Sequence, residues 1–125
     1  MTATITGFRS RDGGSGALFE DVYFVEGKRT PFGKLNGSLS TVSPTDLGIF
    51  ASRAAIEKAQ VRAFDIDQTI VANIGQASAD CFFLPRHLGL YSGAPLTSPA
   101  AMVQRICGSG IEALGQAEEQ IALVN

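Results

Sequence analysis

Histidine is nearly absent from this sequence: His87 is the only one in 125 residues. One His excludes a self-contained His-rich metal site and a Cys2His2 finger, so no metal is expected. Two cysteines, Cys81 and Cys107, cannot build a disulfide framework. Charge is scarce as well, with 10 Lys+Arg against 12 Asp+Glu and a net charge of −2. That balance gives no electrostatic footprint for nucleic acid. No run approaches the roughly 20 apolar residues of a membrane span, so no membrane partner is expected. What is present in quantity is apolar: 45% of residues are hydrophobic, only 18% are charged, and 14 are Gly. This is more apolar than an average soluble domain. Part of the folded surface is therefore expected to lie under a partner or a further piece of chain.

Residues 1–20 lack the apolar core of a secretory signal. The run Arg9-Ser10-Arg11-Asp12-Gly13-Gly14-Ser15-Gly16 has linker composition, and an N-terminal extension without regular structure is expected there. From Asp21 the pattern changes. Val22-Tyr23-Phe24-Val25 reads as a short buried strand. Gly27, Pro31, Gly33, Asn36 and Gly37 then predict a long loop. Ser43-Pro44-Thr45-Asp46 predicts a helix start: an N-cap hydroxyl, Pro at the first helical position, and a negative charge where the helix dipole favours it. Leu47, Phe50, Ala51 and Ala54 would form its apolar face, and it should fade near Gln60.

Thr69–Ile74 reads as a second strand, Pro85 to Tyr91 as a short helix, and Met102–Ile106 as a third strand. A last helix follows Cys107-Gly108-Ser109-Gly110, with an apolar stripe of Gly110, Leu114, Ala117, Ile121 and Val124. The order β-α-β-α-β-α predicts an α/β layer with a mostly parallel sheet. The sequence stops at Asn125 with no Gly or Pro stop signal. Three strands ending on an uncapped helix make a poor free-standing domain, and completion by further chain is expected.

The segment with chemical content is Gln104-Arg105-Ile106-Cys107-Gly108-Ser109-Gly110. A Cys between a strand and a helix faces the first helical N–H groups, whose dipoles favour a thiolate. Gly108 and Gly110 leave the backbone bare for a bulky acyl carrier. The arrangement is that of a strand–nucleophile–helix elbow with a thiol in place of a hydroxyl. The N–H of Cys107 could donate to a tetrahedral oxyanion. By spacing alone a second reading stands beside this one: close helix–sheet packing, with an inert cysteine.

Several stretches in order resemble the N-terminal part of the thiolase family (acetyl-CoA acetyltransferase, 3-ketoacyl-CoA thiolase). Gly27-Lys28-Arg29-Thr30-Pro31-Phe32-Gly33-Lys34 looks like the family's opening Arg-Thr-Pro-x-Gly loop, with Gly37-Ser38-Leu39 behind it. Thr45-Asp46-Leu47-Gly48 is similar to the start of its first helix. Gly75-Gln76 follows the second strand, Pro85-Arg86 stands where the family has Pro-Ala-Arg, and Cys107-Gly108-Ser109-Gly110 resembles the active-site tetrapeptide. The resemblance covers residues 21–125 and about the first third of a typical member. It implies an incomplete N-terminal half of the thiolase-like α/β fold, cut in the helix after the nucleophile.

The resemblance further implies that Cys107 accepts the acyl group of an acyl-CoA thioester. Either free CoA then takes that group or an acetyl-CoA carbanion attacks it. Coenzyme A and acyl-CoA would be substrates, with no permanently bound cofactor. The family also uses a His from Gly-His-Pro, a second Cys and an Asn-Glu-Ala-Phe segment; none of these motifs occurs here. The expected partners are therefore the remaining thiolase segment or a second chain, and a homodimer or tetramer, and the 125 residues alone are expected to be inactive. A reactive thiol needs a reducing compartment, and the cytoplasm is expected.

His87 is a poor candidate for the missing base, Cys81 reads as a buried small residue, and Arg29 and Arg86 read as structural ion-pairing residues. CoA-binding residues are not identified. Gln104 and Arg105 depart from the family's usual residues before the cysteine. Two alternatives remain open: a ketoacyl-synthase-like condensing enzyme, and a non-catalytic assembly module derived from a thiolase.

Overall fold

A computed structural model describes residues 3–124. Met1, Thr2 and Asn125, which belong to the expected extension and to the last helix, lie outside the described residues. Helix α1 (Pro44–Ala59) starts where Ser43-Pro44 places it. The Ser43 hydroxyl oxygen accepts the Asp46 N–H at 3.0 Å, which satisfies one of the orphan donors of the first turn. The helix ends at Gln60 in the left-handed region (φ 56), with its N–H returned to Glu57 O. The buried or half-buried face agrees with the expected one at Leu47 and Ala51 and otherwise differs from it. Thr45, Gly48, Ser52, Ala55 and Ile56 turn inward, whereas Phe50 and Ala54 are exposed. The reason is the close crossing with α2 (Leu84–Tyr91): a side chain at Gly48 would run into Leu88, so small residues must occupy this face.

Strands β3 (Thr69–Ala72) and β4 (Ala100–Val103) pair in parallel, with Thr69 opposite Ala100 and Ala72 opposite Val103. Helix α2 lies between them in sequence and packs on both. Its Gly89 allows the contact with β3, since a Cβ there would meet Thr69 Oγ1 at 2.5 Å. Helix α3 (Ser109–Val124) packs mainly on β3. The parallel α/β layer expected from the element order is therefore present.

Three strand expectations change. Residues 4–20 were expected to lack regular structure, yet β1 (Thr4–Arg9) and β2 (Ser15–Glu20) form an antiparallel hairpin. The linker-like run is its turn: Ser10 N–H donates to Gly14 O at 2.7 Å, and Gly13 takes φ +84. A short turn closed by a left-handed glycine is a standard hairpin connection. Val22–Val25 is not a strand among the described residues; Tyr23, Phe24 and Val25 are more than 70% exposed. An extended run becomes a strand only where a neighbour pairs with it, and none does here. The third strand lies at Ala100–Val103 rather than Met102–Ile106, because Ile106 adopts φ +48, outside the extended region.

The core is small. Its buried apolar residues are Ala3, Cys81, Leu84, Leu88, Ala94 and Val103. The expected stripe of α3 faces a cavity of about 660 Å³ lined with Ile70, Leu114, Ala117, Ile121 and Val124, and is only partly covered. No helix among the described residues is long and apolar enough to cross a membrane.

Candidate functional site

The parallel pairing brings the C-terminal ends of β3 and β4 to one edge, where Asn73 N–H donates to Val103 O at 3.1 Å. Ligands of open α/β sheets bind at that edge. The chain leaves β4 there and turns through 104–108 into α3. Ile106 in the left-handed region makes the turn. For a β-branched residue this costs on the order of 1–3 kcal/mol and persists only where the surroundings enforce it.

The enforcing bonds lie within the turn. Gly108 N–H donates to Arg105 O at 3.0 Å and Ser109 N–H to Ile106 O at 3.2 Å. The Ser109 hydroxyl accepts the Arg105 N–H at 2.6 Å and donates to Ile106 O at 2.7 Å. Outside this ring, Arg105 Nη1 reaches Glu112 Oε2 at 2.5 Å. That hydrogen bond, with a smaller one from Gln116, lowers the Glu112 carboxyl below its ordinary value. Cys107 sits between these ties and is exposed. Gly110 faces open space, with nothing within 4 Å of where a Cβ would stand. The first helical N–H groups next to it have no acceptor inside the helix. An exposed thiol, a bare backbone and a helix N-terminus thus meet at one turn.

The other residues singled out in the sequence fall elsewhere. Cys81 is buried, as expected. His87 lies on α2, with Nδ1 at 2.8 Å from Asp80 Oδ2 and its ring stacked on Phe83 and edge-on to Tyr91. None of these partners belongs to the Cys107 turn. The same Asp80 oxygen accepts the Thr45 hydroxyl at 2.8 Å. Bonds from His87 and Thr45 hold the Asp80 carboxyl at about 2, below its usual range.

The expected ion pairing of Arg29 and Arg86 is not found; both bind carbonyls. Arg29 donates to Thr30 O at 3.1 Å and lies over the Phe32 ring. Arg86 donates to Leu96 O at 2.7 Å and also to Ser98 O, tying α2 to the turn before β4. Turn carbonyls lie within its reach and need donors, whereas carboxylates are few.

Asn73 was not legible as a site residue. Its Oδ1 accepts the Gln76 N–H at 3.3 Å, while its Nδ2 is buried without a hydrogen bond. Its position just past a strand, before Gly75, was the available signal.

The domain described as "Thiolase, N-terminal domain" matches residues 22–125. The chain belongs to the thiolase family. It is 42% identical over 98 residues to the mitochondrial 3-ketoacyl-CoA thiolase of Bos taurus, covering 78% of this chain and 25% of that protein. The human mitochondrial 3-ketoacyl-CoA thiolase, solved in complex with CoA, superposes with a TM-score of 0.77 at 38% identity over 79% of this chain and 25% of its own. The acetyl-CoA acetyltransferase of Syntrophomonas wolfei gives 0.72 at 36% identity, with the same 79% and 25% coverage. The chain thus spans about a quarter of the length of these thiolases. The hairpin β1–β2 precedes the matched thiolase segment. The expected thiolase-like fold is present, and the match favours a thiolase over a ketoacyl-synthase-like enzyme.

Proposed function

We propose that this chain carries the acyl-accepting nucleophile of a thiolase, Cys107, and that the assembled enzyme moves acyl groups between CoA thioesters. The observation that supports this most is the exposed thiol in the turn from β4 to α3, beside helix-end donors and open backbone at Gly110. The Cys107 sulfur attacks the carbonyl carbon of an acyl-CoA. The new carbon–sulfur bond forms as the bond to the CoA sulfur breaks, and CoA leaves as a thiol carrying the proton that Cys107 gave up. A thioester suits the second half of the cycle, because sulfur donates little into the carbonyl and leaves it electrophilic. In thiolysis free CoA takes the group; in condensation an acetyl-CoA carbanion does. The Cys107 N–H is the candidate donor to the oxyanion.

Coenzyme A serves as substrate in this reading, with no resident cofactor. His87 is engaged with Asp80, so the base that deprotonates Cys107 is proposed to come from outside these 125 residues, as is most of the oxyanion site. The remaining thiolase segment, or a second chain, and assembly into a homodimer or tetramer belong to the same proposal. So does a reducing location, the cytoplasm, which keeps the thiol free.

Iodoacetamide labelling at neutral pH tests the assignment. In the assembled enzyme Cys107 should react much faster than Cys81, and acetyl-CoA should protect it. No thiolysis or condensation should be detected with the 125-residue chain alone. Equal, slow labelling of both cysteines without protection would remove Cys107 from the role. It would favour the second reading, a non-catalytic assembly module, to which the many exposed large apolar side chains lend support.

A further inference from the structure

We propose that Ser109 is the positioning residue of Cys107: its hydroxyl fixes the left-handed turn at Ile106 and thereby sets the thiol at the end of α3. The inference rests on the reading of Cys107 as the acyl acceptor. Ser109 is the most buried of the described residues, at 0% exposure. A buried hydroxyl needs partners, and this one has two, one on each side of the residue whose backbone is reversed. It accepts the Arg105 N–H at 2.6 Å and donates to the Ile106 carbonyl at 2.7 Å. Those two groups would point along the sheet if the strand continued through Ile106. Here they are turned onto one side-chain oxygen, and Ile106 takes φ +48.

Cys107 is the next residue along, and it leaves the strand direction because Ile106 does. The Arg105–Glu112 pair spans the same turn from outside, with Arg105 largely exposed, so it supports the ring without replacing it. The Ser of the Cys-Gly-Ser-Gly sequence therefore acts on the thiol through backbone geometry and does not touch the substrate. Without its hydroxyl the strained Ile106 relaxes toward extended backbone, and the sulfur moves away from the start of α3.

The test measures the iodoacetamide alkylation rates of Cys107 and Cys81 in the full chain and in variants. Ser109→Ala should slow Cys107 by about tenfold and leave Cys81 unchanged, since a small displacement from a productive geometry costs that much or more. Ser109→Thr, which keeps the hydroxyl, and Glu112→Gln, which loosens only the outer pair, should stay within about threefold of the parent. General loosening would instead speed Cys81 as the core opens. If Ser109→Ala fails to fold, hydrogen exchange in the unaltered chain decides: the Arg105 N–H should be among the slowest of residues 104–108.

An unchanged Cys107 rate in Ser109→Ala, an equal loss in Glu112→Gln, or fast exchange at Arg105 would overturn the proposal. Acetyl-CoA protection separates the two claims. If acetyl-CoA fails to protect Cys107 in the assembled enzyme while Ser109→Ala still slows alkylation, the acyl-transfer reading fails and the positioning role of Ser109 stands.

Discussion

A single carboxylate oxygen joins three segments of this chain. Asp80 Oδ2 receives the Thr45 hydroxyl from α1 and the His87 imidazole from α2, each at 2.8 Å. Asp80 itself sits in the loop that leaves the C-terminal edge of the sheet. Because its folded-state value is about 2, below the ordinary 3.8, it contributes stability that is complete above about pH 4 and is lost as the pH falls through about 2. Thermal melts across that window should show the loss directly. Asp80→Asn should melt lower than the parent above pH 4, and the two curves should converge toward pH 2; parallel curves would mean that the carboxylate carries no such weight. Sequence reading reached the residue types here but not the pairing. Cys81 was legible as buried, because that judgement needs only composition and local context. Asp80 was not legible, since a partner 35 residues away in sequence appears only once α1 and α2 cross. The same limit explains Arg29 and Arg86: a sequence shows a cation but not whether a carboxylate or a turn carbonyl will be nearest.

Helix ends carry local signals, and that is why α1, α2 and α3 were legible within a residue or two. Ser43, Pro44 and Asp46 specify a start by hydrogen bonding, ring geometry and charge, without help from the rest of the fold. Strands carry no such self-sufficient signal. Val22–Val25 has strand composition and no pairing partner, and β4 stops short because Ile106 is turned by Ser109. The hairpin β1–β2 was missed for the opposite reason: linker composition concealed an Asp12-Gly13 turn. The inward face of α1 was partly misjudged because apolar periodicity finds large residues, whereas a close helix crossing selects small ones. That crossing makes Leu88 the side chain on which the helix pair depends. Only 9% exposed, it faces Gly48 across the gap. Leu88→Ala should destabilise the chain by about 2–4 kcal/mol in urea unfolding, the range for deleting a buried Leu side chain. A change under about 1 kcal/mol would mean that α1 and α2 are held by the Asp80 bonds and not by packing.

The whole molecule exposes far more surface than its mass accounts for. Its accessible area is 9111 Å² at 13.1 kDa. A compact monomer of that mass is expected to expose about 6,400 Å². The excess is apolar in large part: Phe32 and Leu35 in the long loop are more than 90% exposed, and Ile111 and Leu123 on α3 more than 70%. Among the described residues the buried hydrophobic core is only Ala3, Cys81, Leu84, Leu88, Ala94 and Val103, and the stripe of α3 looks into a cavity instead of a packed neighbour. The low charge of the sequence, 18%, already pointed to a surface not wholly meant for water, and the fold places that surface on the long loop, on Val22–Val25 and on α3. Apolar surface on this scale drives association, since its burial returns roughly 25 cal/mol per Å². The 125-residue chain in isolation should therefore bind 8-anilinonaphthalene-1-sulfonate, sediment as a mixture of species whose mean mass rises with concentration, and melt at a temperature that also rises with concentration. The effect should be insensitive to salt, because apolar contact and not charge supplies the attraction. A strictly monomeric particle with a concentration-independent melt and no dye binding would show that the exposed side chains close on one another in solution, and the reading of this surface as the seat of further thiolase structure would fall with it.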